Sequence, residues 1–375
     1  MRKIGIFGCG GSIGTQALEF IKSNSANFKA DVLVTYSNVD LLVSQAKQFG
    51  ATKVGLVNES EYSANSFSEL NDVKVAVGKD TYELFDDVDT VLFCAVGASV
   101  LPALWRLIER VKRIALANKE CLVAAGELIM AKAKQCGTEI IPVDSEHSAV
   151  WQCLRSGKVS DVKRIILTAS GGRYYRRGLD ELDGITPSEA VKHPNWKMGK
   201  KISVDSATMM NKALELIEAR WLFDTKEVDY VVHPDSVIHS LVEFNDGAIV
   251  AQLSEPDMRL PISIALAYPD RTSSGIKRFE FDRPLNFLQK NEQVFFAPSL
   301  ARYCIEKGGT SGAILDASNE AAVKLFMQGD VKFTQICSIA REELYAAKIE
   351  EIKSIYDVIE LHNETRERVL AKYRD

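Results

Sequence analysis

The chain has 375 residues, 46% hydrophobic and 26% charged; this excludes disordered and collagen-like classes and leaves room for two or three domains. A formal net charge of −5, from 46 basic and 51 acidic residues without a long basic block, argues against a nucleic-acid partner. The seven cysteines are scattered with no CxxC pair, and no run approaches the roughly 20 apolar residues of a membrane span, so a cytoplasmic, unprocessed chain of reduced thiols is expected.

From the start to about residue 143, the runs IGIF, DVLVTY, VGLV, TVLFCAV, IALA and EIIPV alternate with helical patterns, the first over 15–22. This alternation predicts a parallel sheet with crossover helices, hence an α/β fold opening with a Rossmann-type domain over 1–143. The texture of 144–269, with the strands RIILTAS, VDYVVHP and AIVAQL and a helix over 209–222, predicts a second, catalytic α/β domain. Residues 270–298 read as an extended linker. Helical patterns over 299–306, 318–327, 333–345 and 355–373 predict a C-terminal helical bundle over 299–375.

The run GCGGSIG, with Gly10, Gly11, Ser12 and Ile13 at its centre, falls between the first strand and the first helix. There, residues without Cβ let the backbone approach a pyrophosphate at a helix N-terminus. An ordinary tight strand-to-helix turn has the same look. The second strand ends Thr35-Tyr36-Ser37-Asn38, without the acid that binds a ribose diol in NAD-specific sites. Its absence, with Ser37 and Asn38 as donors to a 2′-phosphate, favours NADPH, and Tyr36, Ser37 and Asn38 become candidate cofactor residues.

Two acids, Asp144 and Glu146, follow the last of these strands; in an extended chain they project to one side. On a helix over 209–222, Asn211 and Glu215 are i,i+4 and Lys212 and Glu215 are i,i+3, so they share a face. All-oxygen carboxylates without cysteine describe a site for Mg²⁺ or Mn²⁺ rather than zinc. Spacing alone does not join Asp144 to Glu215, and any single acid more often pairs with a surface cation.

Ser170 beside two glycines, Ser206, Asn211 and Lys212 combine hydroxyls, an amide and a cation, the mixture a phosphate dianion requires. HPNWKMG, over 193–199, reads as a lid loop, or as a surface turn with a stray tryptophan. Of the five histidines, His193 alone has a substrate-like context. His147 reads as supporting the acids, His233 and His239 as structural, and His362 as a solvated helix position. Asp257 and Arg259 are placed to pair in a structural role.

The segments PVDSEHSAVWQC, LTASGG, HPNWKMGKKISVDSATMMNKALELIEARWLF and HPDSVIHSLVEFNDGAIVAQL resemble the 1-deoxy-D-xylulose 5-phosphate reductoisomerase family. The resemblance implies an oxidoreductase of isoprenoid-precursor synthesis that rearranges and reduces a phosphosugar with NADPH and a divalent metal, and a homodimer formed through the central domain. It implies metal ligands Asp144, Glu146 and Glu215, and substrate contacts Lys119, Ser145, Glu146, Ser170, His193, Ser206, Asn211, Lys212 and Glu215. Trp196 and Met198 are expected to close over the substrate, and Lys119 to steady developing oxyanion charge. Cofactor contacts fall on Gly10, Gly11, Ser12, Ile13, Asn38, Asn118, Glu120 and Gly199. Where the family turn reads GSTGSIG this chain has Cys9-Gly10, and the family often has glycine or a basic residue at Tyr36-Ser37. Two rivals are another NADP- and metal-dependent enzyme, which does not require HPNWKMG, and a sensing protein that lost catalysis, which does not require all of Asp144, Glu146, Lys212 and Glu215.

Overall fold

Seven parallel strands form the first sheet of the computed structural model, which describes residues 1–63, 65–192 and 199–374. In chain order they are β1 (Arg2–Phe7), β2 (Phe28–Thr35), β3 (Lys53–Leu56), β4 (Lys74–Val77), β5 (Thr90–Phe93), β6 (Arg113–Leu116) and β7 (Glu139–Pro142). Their spatial order is β4-β3-β2-β1-β5-β6-β7. The order reverses direction between β1 and β5, and such a switch point opens a crevice at the strands' carboxyl ends. Residues such as Ile4, Ile6, Val32, Leu33, Val91 and Leu92 are fully buried, as central strands covered on both faces require. In this sheet the strand not marked by the runs above is β4, a four-residue edge strand whose side chains are exposed or half-buried.

The chain divides into two compact units. The first comprises Met1–Asn118, Ile129–Ser148 and Asp257–Lys277; the second comprises Lys119–Leu128, Ala149–Pro256 and Arg278–Asp375. Helix Arg259–Ala267 therefore belongs with the parallel sheet, although it lies within the expected 144–269 region. Two arginines of the sheet gather its C-terminal carbonyls: Arg2 donates to the oxygens of Leu266 and Tyr268 at 3.3 and 3.1 Å and pairs with Asp270 at 2.6 Å, and Arg113 donates to Tyr268 O at 2.6 Å. Carbonyls left over at a helix end need such donors. At the start of this helix Asp257 and Arg259 do pair, at 2.6 Å.

A four-stranded sheet lies in the second unit: β8 (Val162–Ala169), β9 (Val228–Val232), β10 (Ile238–Phe244) and β11 (Ile249–Leu253), in the order β11-β10-β8-β9. Strand β10 runs antiparallel to β8 and β11, and β9 parallel to β8. Residues 270–296 hold no helix, and helices Ala297–Lys307, Ser311–Gln328, Gln335–Ala346 and Ile355–Tyr373 follow, the first starting within the expected 270–298 linker. One hydrophobic cluster runs from Val150 through Leu214 and Leu300 to Val369, so the terminal helices share a core with the central sheet. Among the described residues, no helix is long and apolar enough to cross a membrane.

Candidate active site

At the end of β1 the chain turns tightly enough that the backbone N–H groups of Gly8 and Cys9 both donate to Val34 O, at 2.8 and 3.0 Å. Helix Ser12–Ser23 begins directly after Gly11, which offers no side-chain cap to its first N–H groups. A Cβ on Gly14 would stand 2.6 Å from Gly8 O and 2.7 Å from Cys9 Cα, so only glycine lets the helix begin this close to the turn. Gly10, Gly11 and Ser12 are exposed and Ile13 half-buried, leaving a bare backbone edge suited to a pyrophosphate. Cys9 points the other way: it is fully buried, and burial pushes its thiol up to about 12, which keeps it neutral.

Beyond β2, Tyr36 is exposed and Asn38 caps helix Val39–Phe49, its Oδ1 accepting from Leu41 N at 3.0 Å. Ser37 and Asn38 line a cleft with Lys47, Ser63 and Ser66. Lys47 is ion-paired with Glu69, and the same cleft is also lined by Asp40 and Glu61. Buried Asn118 donates to Ala95 O and Gly97 O at 2.8 and 3.0 Å, fixing the loop after β5.

The first acids stand differently from the extended geometry expected for them. Ser145 opens helix Ser145–Cys153, so Glu146 lies in its first turn. Asp144 acts as the cap: its Oδ1 accepts from Glu146 N at 3.1 Å and His147 N at 3.4 Å. Fully buried His147 sets its Nδ1 3.0 Å from the same oxygen. An ionised aspartate only accepts, so Nδ1 carries the proton there, the orienting role expected of His147. Ser145 Oγ donates to Glu146 Oε2 at 2.7 Å.

In the second unit the remaining acid is held among cations. Helix Lys119–Cys136 breaks at Ala125, with φ −141° and ψ 27°, and its first turn carries Lys119 and Glu120. Lys119 Nζ donates to Asn211 Oδ1 and Glu215 Oε1, both at 2.9 Å. Lys212 Nζ bonds to Glu215 Oε2, and Asn211 Nδ2 to Glu215 Oε1. Lys119, Lys212 and Glu215 are all buried, with two ammonium groups against one carboxylate. Glu215 thus accepts from an amide and two ammonium groups in a poorly solvated place, which fixes its carboxylate.

The Ser170-Gly171-Gly172 turn follows β8, and Ser170 Oγ accepts from Gly172 N at 3.2 Å. Gly172 has φ +74°, and a Cβ there would lie 2.4 Å from Ser206 O, so this turn packs directly on the end of helix Lys200–Ala207. Met209, left-handed at φ +63°, then starts helix Met210–Leu222, which carries Asn211, Lys212 and Glu215. The structure thus groups Lys119 with Asn211, Lys212 and Glu215, and Ser170 with Ser206. Gly199 caps helix Lys200–Ala207, its carbonyl accepting from Ser203 Oγ at 2.9 Å. His193, Trp196 and Met198 lie outside the described residues.

Two further histidines are settled by their partners. Buried His233 accepts from Val237 N at 3.2 Å through Nε2, so its Nδ1 donates to Asn286 O at 2.7 Å, a structural role. His362 corrects the solvated reading: it is buried, with Nε2 3.0 Å from Asp316 Oδ2. Burial works against its charged form, but the Asp316 hydrogen bond and charge outweigh it and raise the imidazole above its ordinary pKa. Lys201 and Asp205, bonded at 2.8 Å beside Glu120, were not singled out by sequence; the pattern KKISVDS places them i,i+4 on a helix and held that signal.

A doubly wound parallel sheet with a bare glycine turn, in a chain that also holds a buried lysine–carboxylate cluster, defines a dinucleotide-dependent oxidoreductase of the Rossmann type. Residues 4–126 match the model described as 1-deoxy-D-xylulose 5-phosphate reductoisomerase, 140–223 that of its C-terminal domain, and 253–368 that of the DXP reductoisomerase C-terminal domain. A protein of that name from Caldanaerobacter subterraneus subsp. tengcongensis is 43% identical over all of both chains, and one from Bacillus pumilus is 41% identical over 98% of this chain and 99% of its own. Among solved structures, 1-deoxy-D-xylulose 5-phosphate reductoisomerase from Zymomonas mobilis in complex with NADPH is 37% identical, with a TM-score of 0.92 over 99% of each chain. A DOX-P reductoisomerase in complex with NADPH, fosmidomycin and magnesium is 36% identical, with a TM-score of 0.91 over 100% of this chain and 98% of that one. The chain belongs to the 1-deoxy-D-xylulose 5-phosphate reductoisomerase family.

Proposed function

We propose that this enzyme converts 1-deoxy-D-xylulose 5-phosphate to 2-C-methyl-D-erythritol 4-phosphate, using NADPH and Mg²⁺ or Mn²⁺, in the non-mevalonate synthesis of isoprenoid precursors. The observation that carries this reading is the cluster of buried Lys119, Lys212 and Glu215 with Asn211, joined to a family assignment over the whole chain. Both groups fit residues that are present. The glycine turn offers bare backbone to a pyrophosphate, and the acids are oxygen donors whose carboxylates are oriented by hydrogen bonds.

Asp144, Glu146 and Glu215 are the residues to hold the cation. When bound, the cation draws electron density from the substrate's carbonyl and adjacent hydroxyl, and NADPH carries the hydride. Lys119 steadies negative charge developing on a substrate oxygen. Ser170, Ser206, Asn211 and Lys212 hold the phosphate, while Ser145 and Glu146 contact the sugar. Gly10, Gly11, Ser12 and Ile13 receive the pyrophosphate, Tyr36, Ser37 and Asn38 face the ribose end, and Asn118, Glu120 and Gly199 are further cofactor contacts. Contact by His193 and closure by Trp196 and Met198 rest on sequence alone. By role, residues 1–143 serve the cofactor and 144–269 the metal and substrate, with 270–298 as connection and 299–375 as helical support, a division that runs across the two compact units.

A homodimer through the central region is part of this reading, supported by edge strand β11, on which Ile249 is 53% and Leu253 37% exposed. Residence in the cytoplasm is supported by seven free cysteines, six of them buried.

Following NADPH absorbance with 1-deoxy-D-xylulose 5-phosphate and each cation tests the function. Oxidation that requires substrate and cation together and stops with chelator is expected. NADPH binding without turnover under either cation overturns the reading and brings the sensing-protein alternative forward.

A further inference from the structure

Helix Lys200–Ala207 carries a charged side chain that none of these roles uses. Lys201 Nζ donates to Asp205 Oδ2 at 2.8 Å and stands 3.9 Å from Glu120 Oε1. The other oxygen of Asp205 accepts from buried Asn319 Nδ2 at 2.8 Å, so the aspartate is fixed from the terminal helices. One turn earlier on helix Ser311–Gln328, fully buried Asp316 pairs with His362. The Lys201 ammonium thus stands beside Asp205 and Glu120, and the charge of Asp316 acts on it as well.

Glu120 needs that ammonium. Burial is the largest influence on its carboxyl and raises its pKa, and the charge of Asp316 pushes the same way; Lys201 is the strongest opposing influence, with Lys119 weaker. The other titratable neighbour is the Cys121 thiol, which is buried and neutral. Lys119 is already engaged by Asn211 and Glu215. Lys201 is instead held by Asp205, outside that cluster, and its helix starts directly after Gly199.

We propose that Lys201 is a positioning residue for the cofactor: its ammonium, anchored by Asp205 and 3.9 Å from Glu120 Oε1, holds the Glu120 carboxylate in place and ties the turn carrying Glu120 to the helix that starts after Gly199. The inference rests on the reading of Glu120 and Gly199 as cofactor contacts. An ionised carboxylate accepts hydrogen bonds from an amide of the ligand, whereas a protonated one presents a donor to the same group. The Asp316–His362 pair supports the arrangement by balancing Asp316, so Lys201 is not drawn wholly toward it.

The test is NADPH affinity, by fluorescence titration across the acidic and neutral range, together with steady-state kinetics, for Lys201→Met, Lys201→Arg, Glu120→Gln and the double variant Lys201→Met/Glu120→Gln. Lys201→Met should weaken NADPH binding roughly tenfold, the low end for losing a residue that orients a ligand contact. Its acid-side loss of binding should move to higher pH, while KM for the phosphosugar changes less than about twofold. Lys201→Arg should recover most of the affinity, and the double variant should be no weaker than Glu120→Gln, as coupled residues require. Should Lys201→Met not fold, Lys201→Gln, which keeps a donor toward Asp205, carries the same expectation. Weakened binding in Glu120→Gln with wild-type affinity and pH profile in Lys201→Met overturns the role of Lys201 alone. Wild-type affinity in Glu120→Gln overturns the reading of Glu120, and the proposal with it.

Discussion

The glycine turn after β1 and the lysine–glutamate cluster on helix Met210–Leu222 present their chemistry in different ways. At the turn the backbone makes the surface: a Cβ at position 14 would stand 2.6 Å from Gly8 O, while the Cys9 side chain faces the core. In the cluster the side chains make it, with Lys119, Asn211 and Lys212 converging on one buried carboxylate. A backbone site tolerates side-chain changes that leave the path alone. A side-chain site fails when one functional group is exchanged, even if the fold is untouched.

The sharpest way to break this contrast is Glu215→Gln, a change of one oxygen to nitrogen. It should lower kcat by about 10²–10³-fold, the usual range for removing a single strong electrostatic contact, with the circular dichroism spectrum unchanged. Next, Gly14→Ala forces backbone apart, and overpacking of this kind costs about 1–3 kcal/mol. KM for NADPH should rise about tenfold or more in a steady-state assay, with kcat much less affected. Gly172→Ala combines φ +74° with a 2.4 Å clash at Ser206 O and should destabilise the protein by about 1–3 kcal/mol, read as a lower thermal midpoint, while raising KM for the phosphosugar.

A smaller effect is expected from pH at the Asp316–His362 pair. Burial works against both charges, but each partner's hydrogen bond and charge outweigh it, so His362 titrates above its ordinary value and Asp316 below. The raised His362 contributes stability that is complete below its unfolded pKa of about 6.5 and lost as pH rises through the folded value. The lowered Asp316 contributes stability present above its unfolded pKa of about 3.9 and lost as pH falls through the folded value. Thermal midpoints should therefore decline on the alkaline side, and His362→Gln should flatten that decline; an unchanged slope in the variant would break the assignment. The smallest effect belongs to Cys9→Ser, which restores the hydroxyl usual in the family but buries it. Stability should fall by no more than about 1 kcal/mol, with KM for NADPH within about twofold of wild type.

What sequence made legible follows the same contrast. The strands β1, β2, β3, β5, β6 and β7 are legible as apolar runs, most clearly where they are central and buried, whereas β4, exposed or half-buried at one edge, is not. Helical periodicity placed Asn211, Lys212 and Glu215 on one face, and the structure adds Lys119 to it from a segment far away in the chain. Periodicity failed where a cap intervenes: Asp144 follows a strand but caps a helix, so its relation to Glu146 is that of a cap to a first turn. It also missed partners distant in sequence, because nothing around His362 announces Asp316 and nothing around Lys201 announces Glu120.

The measurement that bears most directly on the central claim is the carbon skeleton of the product. Carbon-13-labelled 1-deoxy-D-xylulose 5-phosphate, incubated with the enzyme, NADPH and Mg²⁺, can be followed by NMR. A branched product, its methyl group on a carbon bonded to three other carbons, as in 2-C-methyl-D-erythritol 4-phosphate, is the predicted result. A straight-chain polyol phosphate formed at the same rate as NADPH is consumed would mean reduction without rearrangement and would contradict the account.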